Sequence, residues 1–175
     1  MIKKGLCFAL IFQLLLPGLG MAQMSLWFTE KSVSFQHPVP NLDHRELQEI
    51  FNKQQNNNYV IFDVRQPEEY SLSHIQSSIQ VNPEQSAERF LEQYSTLIKG
   101  KVVIFYCSVG FRSSMFLERI QTSTLLVEAE NLYNLKGGIF RWYNEGHSVV
   151  DQDGPTRKIH PYDETWGKMI KQDAP

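Results

Sequence analysis

The chain has 175 residues, 42% of them hydrophobic, and a formal net charge of -2. That length and apolar content support one globular domain with a real core. There is no basic excess and no Lys/Arg stripe, which excludes the electrostatic footprint of a nucleic-acid binder.

Lys3 and Lys4 precede an apolar stretch over residues 6–16, and Pro17, Gly18 and the small residues of Gly20-Met21-Ala22 follow. This is the pattern of a signal peptide over residues 1–22, cleaved after Ala22. The apolar stretch is too short to cross a bilayer, which takes about 20 residues. The mature chain is therefore expected to be exported, into a bacterial periplasm, with no membrane span. Cys7 lies inside the apolar stretch, so cleavage leaves Cys107 as the lone thiol of the mature chain. A single cysteine in an exported protein cannot form an intramolecular disulfide and points to a reactive site or to intermolecular pairing.

Residues 23–41 read as an irregular approach segment anchored by Trp27, Phe28, Val33 and Phe35. Asp43 with Glu46 forms a capping-box-like start, and Leu47, Ile50 and Phe51 then recur at helical spacing. After a polar break at 54–58, Tyr59-Val60-Ile61-Phe62 has the continuous apolar character of a strand buried on both faces. Pro67 opens a brief helical turn, and Ile79 with Val81 marks a second short strand. A helix from Glu84 is expected to carry Phe90, Leu91, Tyr94, Leu97 and Ile98 on one face, ending at Lys99-Gly100. Residues 102–106 form the central strand, and Phe116, Leu117 and Ile120 mark the core face of the helix behind it. Residues 132–135 form a further strand, followed by Gly137-Gly138 and a short helix through Trp142. Strands alternate with helices, which predicts an α/β fold with a mostly parallel central sheet. The domain is placed at 42–150, and 151–175 is a polar C-terminal tail packed by Tyr162 and Trp166.

The chemistry concentrates at Cys107-Ser108-Val109-Gly110-Phe111-Arg112-Ser113, between the central strand and an amphipathic stretch from Ser113. A tight loop there turns backbone N–H groups inward, and the start of a helix adds partial positive charge. Such a setting favours the thiolate of a cysteine, its nucleophilic form. Arg112 adds a full positive charge and further donors. His37 and His160 lie near no other ligand-type cluster, so neither a metal nor a cofactor is expected.

Four pieces in order resemble a single-domain rhodanese, a sulfurtransferase. They are Ile61-Phe62-Asp63-Val64-Arg65 followed by Pro67-Glu68-Glu69-Tyr70; Ser73-His74-Ile75; the Cys107 loop; and Leu135-Lys136-Gly137-Gly138 with Trp142. The resemblance implies a sheet of about five strands with helices on both faces. It also implies that Cys107 is the catalytic nucleophile, taking sulfur from a thiosulfate-like anion as a persulfide. A thiol, cyanide or a protein sulfur acceptor would then remove it. Ser108, Val109, Gly110, Phe111, Arg112 and Ser113 are the implied substrate-binding residues, with Ser113 also a cap for the next helix. Arg112 either contacts the substrate or braces the loop; Asp63, Arg65 and His74 read as structural, and Trp142 as core. Ser73 stands where the family has glycine, so that turn must avoid or tolerate a positive φ, and residues 122–130 lack the glycine that commonly ends the preceding helix.

Three rivals remain. Cysteine phosphatases place arginine six positions after cysteine, and here Arg112 is five after Cys107 and position 113 is serine, a loop one residue short for phosphate. Thiol redox chemistry lacks a resolving cysteine. A persulfide carrier or protein-docking module without turnover is the alternative that the loop itself leaves open.

Overall fold

The computed structural model describes residues 21–53, 58–123 and 131–171. Residues 1–20 of the expected signal peptide (1–22) and most of the glycine-free connection, at 124–130, lie outside the described residues. The chain enters as a helix, α1 (Met21–Gln36), where an irregular approach was expected. No proline or glycine interrupts residues 23–36, and Pro38 follows the end. Leu26, Glu30 and Val33 are buried on one stripe, and Arg141 Nε donates to Glu30 Oε1 at 2.7 Å. A carboxylate inside the stripe hid the helical period from the sequence reading. Of the four expected anchors only Val33 is buried; Trp27, Phe28 and Phe35 are exposed.

β1 (Asn41–Leu42) leads into α2 (His44–Asn52), capped by the reciprocal bonds of Asp43 and Glu46. β2 (Tyr59–Asp63), α3 (Pro67–Leu72) and β3 (Ser78–Gln80) follow. α4 (Ala87–Ile98) starts later than the expected Glu84. Asn82 takes the backbone N–H groups of Glu84 and Gln85 into a turn, and Ser86 is the cap. Leu97, expected on the core face, lies at the exposed rim of the last turn. β4 (Val102–Tyr106), α5 (Phe111–Gln121), β5 (Leu132–Leu135) and α6 (Gly138–Asn144) complete the alternation.

The five strands form one all-parallel sheet in the order β1-β5-β4-β2-β3, which puts β4 at its centre. Strand side chains alternate between its faces. Val60, Phe62, Val103 and Phe105 meet Phe90 of α4 and Phe116, Leu117 and Ile120 of α5 on one side. Ile61, Ile104 and Tyr106 meet Leu26, Leu47, Phe140 and Trp142 on the other. Helices thus cover both faces, as a parallel sheet requires.

The C-terminal stretch is more ordered than a polar tail. β6 (Val149–Asp151) and β7 (Gly154–Thr156) pair antiparallel, and α7 (Glu164–Gly167) follows. Trp166, Met169 and Ile170 pack against the second face's cluster. Among the described residues, no helix is long and apolar enough to cross a membrane.

Candidate active site

Cys107 follows directly on β4, at the carboxyl edge of the sheet, where the loops of neighbouring parallel strands converge. Gly110 closes the loop in the left-handed conformation (φ +95°) and caps α5, so the helix begins at Phe111 and not at Ser113. The Gly110 N–H donates to Cys107 Sγ at 3.2 Å. The carbonyls of Cys107 and Ser108 accept from the N–H groups of Ile139 and Phe140 at the start of α6, at 2.9 and 3.0 Å. Peptide planarity then turns the N–H groups of Ser108 and Val109 away from α6. Gly138 permits this approach: a Cβ there would lie 2.2 Å from the Cys107 carbonyl oxygen. Gly138 and the first turn of α6 are therefore the wall on which the cysteine loop is hung.

Arg112 adopts a loop-bracing arrangement. Its Nη1 and Nη2 donate to the two carboxylate oxygens of Glu69 at 2.7 and 2.8 Å, and Nη2 also reaches Ser108 Oγ at 3.0 Å. Ser108 Oγ in turn donates to Glu69 Oε1 at 3.1 Å. Glu69 is buried at the first turn of α3, where its Oε2 also accepts the Gln66 N–H. Burial raises the pKa of this carboxyl, but the hydrogen bonds from Arg112 and from the Gln66 backbone outweigh it and hold the group below its ordinary value. Sequence reasoning quoted Glu69 within a motif without giving it a role. Its place two residues after Pro67, at the third position of α3, was the available signal; its pairing with Arg112 appears only in the fold.

The N-cap of α5 is Gly110, so Ser113 is not the cap that was expected. It is fully buried, and its hydroxyl donates to Asn134 Oδ1 on β5 at 2.7 Å. Asn134 Nδ2 continues the chain to Asn41 Oδ1 on β1. Ser113 thereby fastens α5 to the sheet edge.

Asp63 and Arg65 are fully buried and form a brace beside the loop. Arg65 Nη2 reaches Asp63 Oδ2 at 2.7 Å and the Ser73 carbonyl at 2.6 Å. The Tyr106 hydroxyl donates to Asp63 Oδ2 at 2.6 Å and accepts the Ile75 N–H. Burial, with the Asp63 charge beside it, pushes the Tyr106 phenol well above its ordinary value, so it stays protonated as that donor. Ser73 is extended (φ -171°), a conformation open to any residue, so the missing glycine costs nothing. His74 is structural as expected: it stacks on Tyr70, and its backbone pairs with Val150 in both directions. Trp142 is core, its indole N–H on the Ser148 carbonyl.

A cavity of about 260 Å³ lies beside the loop, lined by Cys107, itself buried, and by Ser108, Val109, Phe111 and Arg112. Its far wall is Tyr162 and Trp166 from the C-terminal segment. The Arg112 guanidinium lies 4.9 Å from the centre of the Tyr162 ring. Both aromatics were expected to pack the tail onto the domain; their place at the cysteine pocket was not expected. Among the described residues, no group of three or more potential metal ligands gathers.

The family model described as "Rhodanese-like domain" matches residues 44–145. A probable molybdopterin-synthase adenylyltransferase from Porphyra purpurea is 32% identical over 110 residues, covering 62% of this chain and 26% of that protein. A tRNA uridine(34) hydroxylase from Buchnera aphidicola is 28% identical over 156 residues, covering 84% of this chain and 46% of that protein. The chain thus spans less than half the length of these relatives. The structure of a thiosulfate sulfurtransferase from Pseudomonas aeruginosa superposes with a TM-score of 0.58 at 20% identity, over 81% of this chain and 25% of that one.

Proposed function

The chain belongs to the rhodanese-like domain family, and on that premise we propose that it is a sulfurtransferase that carries sulfur as a persulfide on Cys107. The Cys107 thiolate attacks the outer sulfur of a donor such as thiosulfate. A sulfur–sulfur bond forms to Cys107, the donor's own sulfur–sulfur bond breaks, and sulfite leaves with the electron pair. Cyanide or a thiolate then takes the outer sulfur and returns the Cys107 thiolate, so no external oxidant or reductant is consumed. The N–H groups of the loop stabilise the negative sulfur, and Arg112 holds the loop in shape through Glu69.

The observation that carries this reading is the Gly110 N–H on the Cys107 sulfur in front of a cavity, on a loop pinned by α6. Steady-state thiocyanate formation from thiosulfate and cyanide tests it. Parallel double-reciprocal lines are expected, with activity lost in Cys107→Ser; intersecting lines with an active Cys107→Ser protein contradict it. We also read the protein as exported after cleavage at Ala22. N-terminal sequencing of material from the periplasm is expected to begin at Gln23, and retention of Met1 contradicts export with cleavage.

A further inference from the structure

We propose that Tyr162 and Trp166 set the donor specificity of the Cys107 pocket, favouring donors that carry the transferable sulfur on an aromatic body over small inorganic thioanions. The inference rests on the sulfur-transfer reading and names its substrate class.

The first observation is the make-up of the pocket wall. Val109, Phe111, Tyr162 and Trp166 face a space of about 260 Å³, more room than thiosulfate occupies. A small dianion held by the loop N–H groups leaves most of the apolar wall untouched. An aromatic ring buries apolar surface against the same side chains.

The second observation is the state of the pocket's cation. Both terminal nitrogens of Arg112 are directed at Glu69, at 2.7 and 2.8 Å, and its face lies near the Tyr162 ring. Its charge is thus matched by a carboxylate inside the protein. A doubly charged donor meets a neutral pair; a singly charged organic donor has less charge to compensate.

The third observation is that this wall is built and held. Asn144 of α6 clamps the segment: its Nδ2 donates to the Met169 carbonyl and its Oδ1 accepts the Lys171 N–H. Asp163 Oδ1 accepts the N–H groups of Thr165 and Trp166 and so starts α7 with Trp166 inward. Tyr162, half exposed, sits at φ +67°, in the left-handed region that bulky residues rarely adopt. Both aromatics lie beyond residue 145, where the match to the family model ends.

An arenethiosulfonate fits this chemistry. The Cys107 thiolate attacks its outer sulfur, the bond between that sulfur and the sulfonyl group breaks, and an arenesulfinate leaves with the electron pair. The charge and electron balance match those of the thiosulfate reaction.

The test measures kcat/KM of the full chain for benzenethiosulfonate and for thiosulfate, with cyanide as acceptor. Intrinsic reactivity of the two donors cancels when their ratio is compared between proteins. Tyr162→Ala and Trp166→Ala are each expected to lower the aryl-to-thiosulfate ratio about tenfold, while Tyr162→Phe keeps it. An unchanged ratio in both alanine variants overturns the proposal. A measurement on the unaltered protein stands beside it, in case a variant does not fold. Benzenesulfinate is expected to protect Cys107 from alkylation at lower concentration than sulfite, and equal protection overturns the proposal. If neither donor loads sulfur onto Cys107, the sulfur-transfer reading itself falls and the specificity with it. If both load and the ratio stays fixed, the specificity alone falls.

Discussion

At the scale of single residues, the reactive loop depends on glycines that make room for it. A Cβ on Gly138 would meet the Cys107 and Ser108 carbonyl oxygens at 2.2 and 2.7 Å, and the residue sits at φ +56°. Gly138→Ala is therefore expected to cost about 3 kcal/mol in urea denaturation and to displace the loop. A loss below about 0.5 kcal/mol would show that the contact relaxes freely. The sequence made the loop legible because Cys107, Gly110 and Arg112 are adjacent in it. It did not make Glu69 legible, since the need for a carboxylate at Arg112 arises only once α3 folds back beside the loop. Ser113 shows the opposite error. It looked like a cap, but Gly110 already closes the helix and leaves Ser113 to bond Asn134 on β5.

At the scale of elements, the strands were the easiest to read. Residues 102–106 and 132–135 are strands with the expected limits, because strands buried on both faces are nearly continuous apolar runs. α1 was missed because Glu30 occupies its buried stripe and is paired with Arg141, more than a hundred residues away. The helix is nonetheless part of the core: Leu26 is fully buried in the cluster that holds Trp142 and Phe140. Leu26→Ala is expected to lower the stability of the whole domain by about 2–4 kcal/mol, seen as a shift of one cooperative unfolding transition. A separate early transition, with the main one unmoved, would show that α1 only decorates the domain. The C-terminal hairpin was hidden for a different reason: its strands are three residues each, and Pro155 stands in the second.

At the scale of the whole molecule, three segments far apart in sequence meet around the Cys107 loop. They are α3 through Glu69, α6 through its first N–H groups, and the C-terminal segment through Tyr162 and Trp166. Their assembly carries a pH dependence. The folded Glu69 carboxyl sits below its ordinary value, so on acidification the unfolded chain takes up this proton first. The stabilisation from Glu69 is full above the ordinary carboxylate value and is lost as pH falls through the depressed one. Glu69→Gln is expected to flatten that part of the stability–pH curve and to cost about 2 kcal/mol near neutral pH, discounted because Arg112 is partly exposed. An unchanged curve would show that the pair is not coupled to folding. The central claim is that Cys107 carries the sulfur, and intact-protein mass spectrometry reads it most directly. Treatment with thiosulfate is expected to add the mass of one sulfur atom, which cyanide removes and Cys107→Ser never acquires. A protein that gains no sulfur while Cys107 remains open to alkylation, or a Cys107→Ser protein that still gains it, would contradict the account.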